Sequence, residues 1–164
     1  MSEPDYMIAF LPSDGTWCQQ DFPHMTLVWG PIGDRSDAQF NDLAKDAISA
    51  SRITGAFSLP VTGIQELGGG DTGNPPVDAL IFYPTPQLLL AYNLVKQWNG
   101  SQFPDYLPHA TIGPAGSAAA MSLPQNTWPD VNAPTPRKGL PSSLWFNRIA
   151  VCWGDKRIAF NIDY

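Results

Sequence analysis

The two histidines of the chain stand in near-identical strings, Phe22-Pro23-His24-Met25-Thr26-Leu27 and Leu107-Pro108-His109-Ala110-Thr111-Ile112. Each reads Pro-His-x-Thr-apolar, and the copies lie 85 residues apart. Alternation of polar and apolar residues is the period of a half-buried strand. In a strand, positions i and i+2 share a face, so each imidazole stands beside its own threonine hydroxyl. A fold that uses both copies together has to bring two strands, distant in sequence, around one small space.

Apolar runs and breakers divide the rest of the chain. Residues 6–11 form an apolar strand closed by Pro12, with a loop over 13–17, and residues 24–29 form the first histidine strand, ending at Gly30-Pro31. A helix is expected over 34–52, where Phe40, Leu43, Ala44, Ala47 and Ile48 recur at helical spacing and Asp34 and Ser36 are candidate caps. Residues 57–66 and 78–83 read as strands joined by a loop over 68–76. Pro86 opens a second helix over 87–98, which Asn99-Gly100 ends. The second histidine strand, 108–113, is followed by a Pro-, Gly-, Ala- and Ser-rich stretch, 114–143, expected to be a long loop with room for one short helix. A hairpin closes the chain: 144–153, a turn at Gly154-Asp155, then 157–162.

Composition bounds what this order can do. With 164 residues, 43% of them hydrophobic, residues 1–164 are expected to form a single domain able to bury a core. Net charge is −6, with nine Lys and Arg against fifteen Asp and Glu, so the chain lacks the basic stripe that tracking long RNA or DNA requires. A small ligand with a few phosphates needs only local donors. Apolar runs fall short of the ~18 residues of a membrane span, and the first residues do not read as a signal peptide. A soluble, cytoplasmic protein is expected. Cys18 and Cys152 join the two histidines in number, but the four are scattered rather than spaced as zinc ligands, so no metal site is expected and both thiols read as small buried groups. Gly68-x-Gly70-x-x-Gly73 is followed by Asn74-Pro75-Pro76, where a dinucleotide fingerprint would need a helix.

The paired His-x-Thr-apolar strands, the helix after the first, the helix before the second and the C-terminal hairpin resemble the two-histidine (2H) phosphoesterase superfamily, and the resemblance spans nearly the whole chain. It implies an α+β, bilobal LigT-like fold: two pseudo-symmetric lobes, with two antiparallel sheets facing a central cleft and helices outside. The family includes cyclic phosphodiesterases of RNA processing, 2′-5′ RNA ligase-like proteins, oligoadenylate phosphodiesterases and phage enzymes that destroy cyclic-oligonucleotide immune signals.

The residue types carry a chemistry of their own. Displacement at a phosphodiester needs a base at the nucleophile and an acid at the leaving oxygen, and imidazole holds either state near neutral pH. His24 and His109 are the expected acid/base pair, in an order the sequence leaves open, and hydroxyls such as those of Thr26 and Thr111 can hold the non-bridging oxygens. The resemblance assigns both threonines to the phosphate. Trp17, Tyr106 and Phe10 are the aromatic candidates for stacking on a base. The expected activity is hydrolysis of a small cyclic nucleotide or cyclic oligonucleotide, without cofactor, metal or protein partner, in the host cytoplasm if the gene is a phage's. The alternatives are hydrolysis of 2′,3′-cyclic phosphates or 2′-5′ oligonucleotides, and a binding protein that sequesters a nucleotide without turnover. Arg137-Lys138 is expected to be a solvated charge pair.

Overall fold

The strands form where apolar residues alternate or run unbroken. A computed structural model describes residues 5–19, 22–68, 75–100, 106–116 and 141–162. In chain order these form β1 (Asp5–Pro12), β2 (Met25–Pro31), α1 (Ala38–Thr54), β3 (Phe57–Leu67), β4 (Val77–Phe82), α2 (Pro86–Val95), a 3-10 turn (Lys96–Trp98), β5 (His109–Pro114), β6 (Ser143–Trp153) and β7 (Lys156–Asn161). The expected long loop and Arg137-Lys138 lie almost wholly in 117–140, outside the described residues, as does most of the 68–76 connection.

Every strand pairing is antiparallel, in the order β2-β1-β6-β3-β4-β5, with β7 also on β6. The two expected sheets are joined rather than separate, because β3 belongs to both. Its first residues, Phe57 to Pro60, pair with β6, and Val61 to Leu67 pair with β4. On its other side β6 pairs with β1 through residues 146–153, while residues 148–153 also carry β7.

Alternation sorts the faces. Tyr6, Ile8 and Phe10 of β1 and Ile149, Val151 and Trp153 of β6 are buried on the face covered by α1, which meets it with Leu43, Ala47 and Ala50. Phe82, Leu80, Ala110 and Ile112 join the same core with Leu88, Ala91 and Val95 of α2. Phe10 is fully buried, with its ring edge-on to Phe57 at 4.9 Å.

The helix ends show where local chemistry and tertiary contact divide the work. α2 starts as its sequence predicts: Pro86 occupies the first turn and Thr85 Oγ1 accepts the Leu88 N–H at 3.2 Å. The expected helix over 87–98 changes to a 3-10 turn at Lys96, which places Trp98 where its indole N–H donates to Asp46 of α1 at 2.7 Å. The expected caps of α1 are a correction. The helix begins at Ala38, after Asp37, and that N-cap side chain makes no capping bond. Asp37 instead faces Lys156 of the C-terminal hairpin at 3.9 Å. No helix among the described residues is long and apolar enough to cross a membrane.

Candidate active site

The two histidine strands sit at opposite ends of the strand order, yet the bend through β3 brings them together. The Tyr106 hydroxyl, just before β5, donates to the Thr26 carbonyl of β2 at 3.0 Å. The loop between β1 and β2 closes the same seam: the Gln19 N–H donates to the Ile112 carbonyl at 2.8 Å, and the Cys18 thiol to the Thr111 carbonyl at 3.3 Å.

His24 and His109 are held alike. Nδ1 of His24 lies 2.7 Å from the Phe22 carbonyl, and Nδ1 of His109 lies 2.8 Å from the Leu107 carbonyl. A carbonyl only accepts, so Nδ1 carries the hydrogen in each ring and Nε2 is the atom left for chemistry. In both strings the residue between ring and carbonyl is proline, whose fixed φ limits where that carbonyl can point. The repeated proline is thus part of the imidazole's support as well as a strand boundary.

Thr111 follows His109 by two positions on β5, so the two share a face. Thr26 keeps the same spacing to His24. Its hydroxyl donates to the Met7 sulfur at 3.4 Å, a weak acceptor that an anionic oxygen would displace.

His24 is also tuned. Burial pushes its pKa down, the bond to the Phe22 carbonyl pushes back, and the positive charges of His109 and Arg157 lower it further. Arg157, on β7, went unmarked in the sequence. Its guanidinium lies 4.3 Å from the centre of the Phe22 ring, and that ring stacks on His24 at 4.8 Å with planes 24° apart. Nothing in the hairpin's own sequence says this, because the contact depends on the loop that carries Phe22.

Two of the three aromatic candidates are corrections. Phe10 is 0% and Trp17 1% exposed, both in the core, so neither has a face to offer a base. Trp17 sits in a loop, but its indole N–H is satisfied by the Asp14 carbonyl at 2.6 Å and the ring packs inward. Tyr106 does reach the site, through its hydroxyl. One ring face is covered by Tyr92, stacked at 4.6 Å with planes 5° apart. Burial pushes the Tyr106 phenol well up, so it stays a hydrogen-bond donor throughout the working pH range. Among the described residues no three His, Cys, Asp or Glu side chains gather as metal ligands.

By sequence, no family model and no curated protein matches the chain. By structure it is similar to Usb1 of Kluyveromyces marxianus with uridine monophosphate, at 10% identity, covering 98% of this chain and 99% of that one with a TM-score of 0.60. It is similar to E. coli LigT in its apo form, at 15% identity over 99% and 100% of the two chains with a TM-score of 0.51. The ATP complex of E. coli LigT gives 16% identity, the same coverage and 0.52. At these identities the likeness establishes the fold: the chain has the LigT-like α+β architecture over nearly its whole length.

Proposed function

We propose that the protein is a phosphodiesterase that cleaves a small nucleotide by two-histidine acid/base catalysis. The observation that carries this reading is the matched pair of imidazoles, each held through Nδ1 by the carbonyl two residues back and each followed two positions on by a threonine. The lowered pKa of His24 suits it to be the base. In that order Nε2 of His24 takes the proton of the attacking water as its oxygen bonds to phosphorus. The P–O bond to the leaving group breaks, and His109, entering protonated, gives its Nε2 proton to the departing oxygen. Thr26 and Thr111 hold the non-bridging oxygens as charge builds on them.

A cyclic nucleotide or cyclic oligonucleotide is the substrate class we favour. The chain's net charge of −6 suits a small ligand enclosed by local donors rather than a long polyanion. The similar structures of Usb1 with uridine monophosphate and of LigT with ATP and NADP+ support a nucleotide of this size. In a phage, such an enzyme would destroy an immune second messenger in the host cytoplasm.

The test is a panel of 2′,3′-cyclic mononucleotides, 2′-5′ oligoadenylate, 3′,5′-cyclic mononucleotides and cyclic di- and trinucleotides, with products resolved by chromatography. Cleavage of the cyclic oligonucleotides, unchanged by EDTA, is expected. Selective cleavage of the 2′,3′-cyclic or 2′-5′ members would move the protein to RNA processing. Stoichiometric capture of an intact ligand would make it a sponge and overturn the catalytic reading.

A further inference from the structure

Acid, base and phosphate-holding hydroxyls leave two cations of the C-terminal hairpin unused. Arg148 of β6 and Arg157 of β7 line one cavity of about 330 Å³, together with Leu11, Pro12, Ser13, Phe22, Pro23 and Ala159. Register explains how they meet. Ala150 pairs with Ala159, Arg148 with Asn161 and Cys152 with Arg157, so both arginines share a face with that alanine pair and flank it from opposite ends. Ala159, with nothing beyond its Cβ, lines the cavity with the two arginines, while Ala150 is fully buried. The same row continues across the sheet through Ala9 to Thr26, so the cavity opens on the face that carries the candidate active site.

The covering loop ties the cavity to His24. Gly15 lies so close to Pro23 that a Cβ there would stand 2.6 Å from the proline ring, and this contact seats Phe22 and Pro23 as the cavity's wall. Phe22 touches both groups: Arg157 lies on it at 4.3 Å and His24 stacks on it at 4.8 Å. The guanidinium is therefore no farther from the imidazole than those two steps combined, the reach of a single nucleotide.

Charge makes the cavity unusual for this chain. Among the described residues neither Arg148 nor Arg157 has an ion-pair partner, and the two line one small space. Two unpaired guanidiniums around one small space repel each other, and an anion between them reverses the sign of that interaction. Each offers the planar fork that matches phosphate oxygens two at a time, with the Ser13 hydroxyl on the rim as a further donor.

We propose that this cavity is a second phosphate subsite, and that the substrate carries a phosphate one nucleotide step from the one that is cleaved. Its place in the reaction rests on the phosphodiesterase reading above, while its binding chemistry stands apart from it. A cyclic or linear oligonucleotide has such a group, and a single-phosphate cyclic mononucleotide does not.

The direct test is calorimetric binding of adenosine 3′,5′-bisphosphate against adenosine 5′- and 3′-monophosphate, none of which contains a phosphodiester to cleave. The wild-type protein is expected to bind the bisphosphate at least about 10-fold more tightly than either monophosphate, the return from one charge-assisted contact. Arg148→Met is expected to abolish that preference and Arg148→Lys to keep part of it. Equal or undetectable binding of the three ligands by wild type, or a preference that survives Arg148→Met, overturns the subsite. The two readings fail separately. An Arg148-dependent preference in a protein that cleaves nothing on the panel keeps the subsite and removes the enzyme. Cleavage without the preference keeps the enzyme and removes the subsite.

Discussion

In the proposed reaction His24 serves as the base because of what surrounds it. The ring is half-buried against Phe22, and two positive groups, His109 and Arg157, act on it in the same direction as burial. A base works only when deprotonated, so kcat/KM rises with pH through its pKa and that pKa sets the acidic limb of the profile. Arg157→Gln removes one of the charges that disfavour protonation, so the His24 pKa rises and the acidic limb moves to higher pH. A pH profile of kcat/KM on a single-phosphate substrate reads this, and an acidic limb that stays put or moves lower would show that Arg157 does not tune the base. The sequence exposed the histidines and threonines because their strings repeat. It hid Arg157, since nothing in Lys156-Arg157 tells that β7 lies under the loop that carries Phe22. It misled at Trp17 and Phe10 for a related reason: an aromatic in a loop or at a strand end has the same letters whether it turns outward to a ligand or inward to the core.

At the scale of elements, the site depends on a seam between strands that share no ladder. β2 and β5 meet through side chains and loop backbone, and the Tyr106-to-Thr26 bond is one of the contacts that join them. Tyr106→Phe keeps the stack on Tyr92 and removes only the hydroxyl, leaving the Thr26 carbonyl without its donor. Loss of about 1–2 kcal/mol of stability is expected from the broken bond. On the proposed mechanism this bond helps set the spacing of the two acid/base groups, so kcat is expected to fall about 10-fold, with KM changing little. A stability loss with kcat intact would reduce Tyr106 to a purely structural tie. Most elements were legible beforehand, because strands of alternating burial and a Pro-opened, Thr-capped helix carry local signals. The start of α1 was not: its N-cap Asp37 makes no capping bond, and the carboxylate stands 3.9 Å from Lys156 instead. The change from α2 to a 3-10 turn likewise follows the seating of Trp98 on Asp46.

For the whole molecule, one strand decides whether two histidine strings become one site. β3 pairs with β6 along its first residues and with β4 along the rest, so the sheet turns and its two end strands converge. The duplicated strings implied that convergence, but a shared strand is a matter of register over long sequence separation, which no local pattern encodes. Arg148 and Arg157 lie on the cleft side of that sheet, where the phosphates of the proposed substrate would lie. The claim on which all of this turns is that both imidazoles move protons in one reaction. The measurement that reaches it most directly is turnover of the best panel substrate by His24→Ala and His109→Ala separately, each shown to be folded by its thermal melt. Each replacement is expected to lower kcat by about 100-fold or more, the scale of losing a positioned acid or base. Full activity in either folded variant would contradict the account.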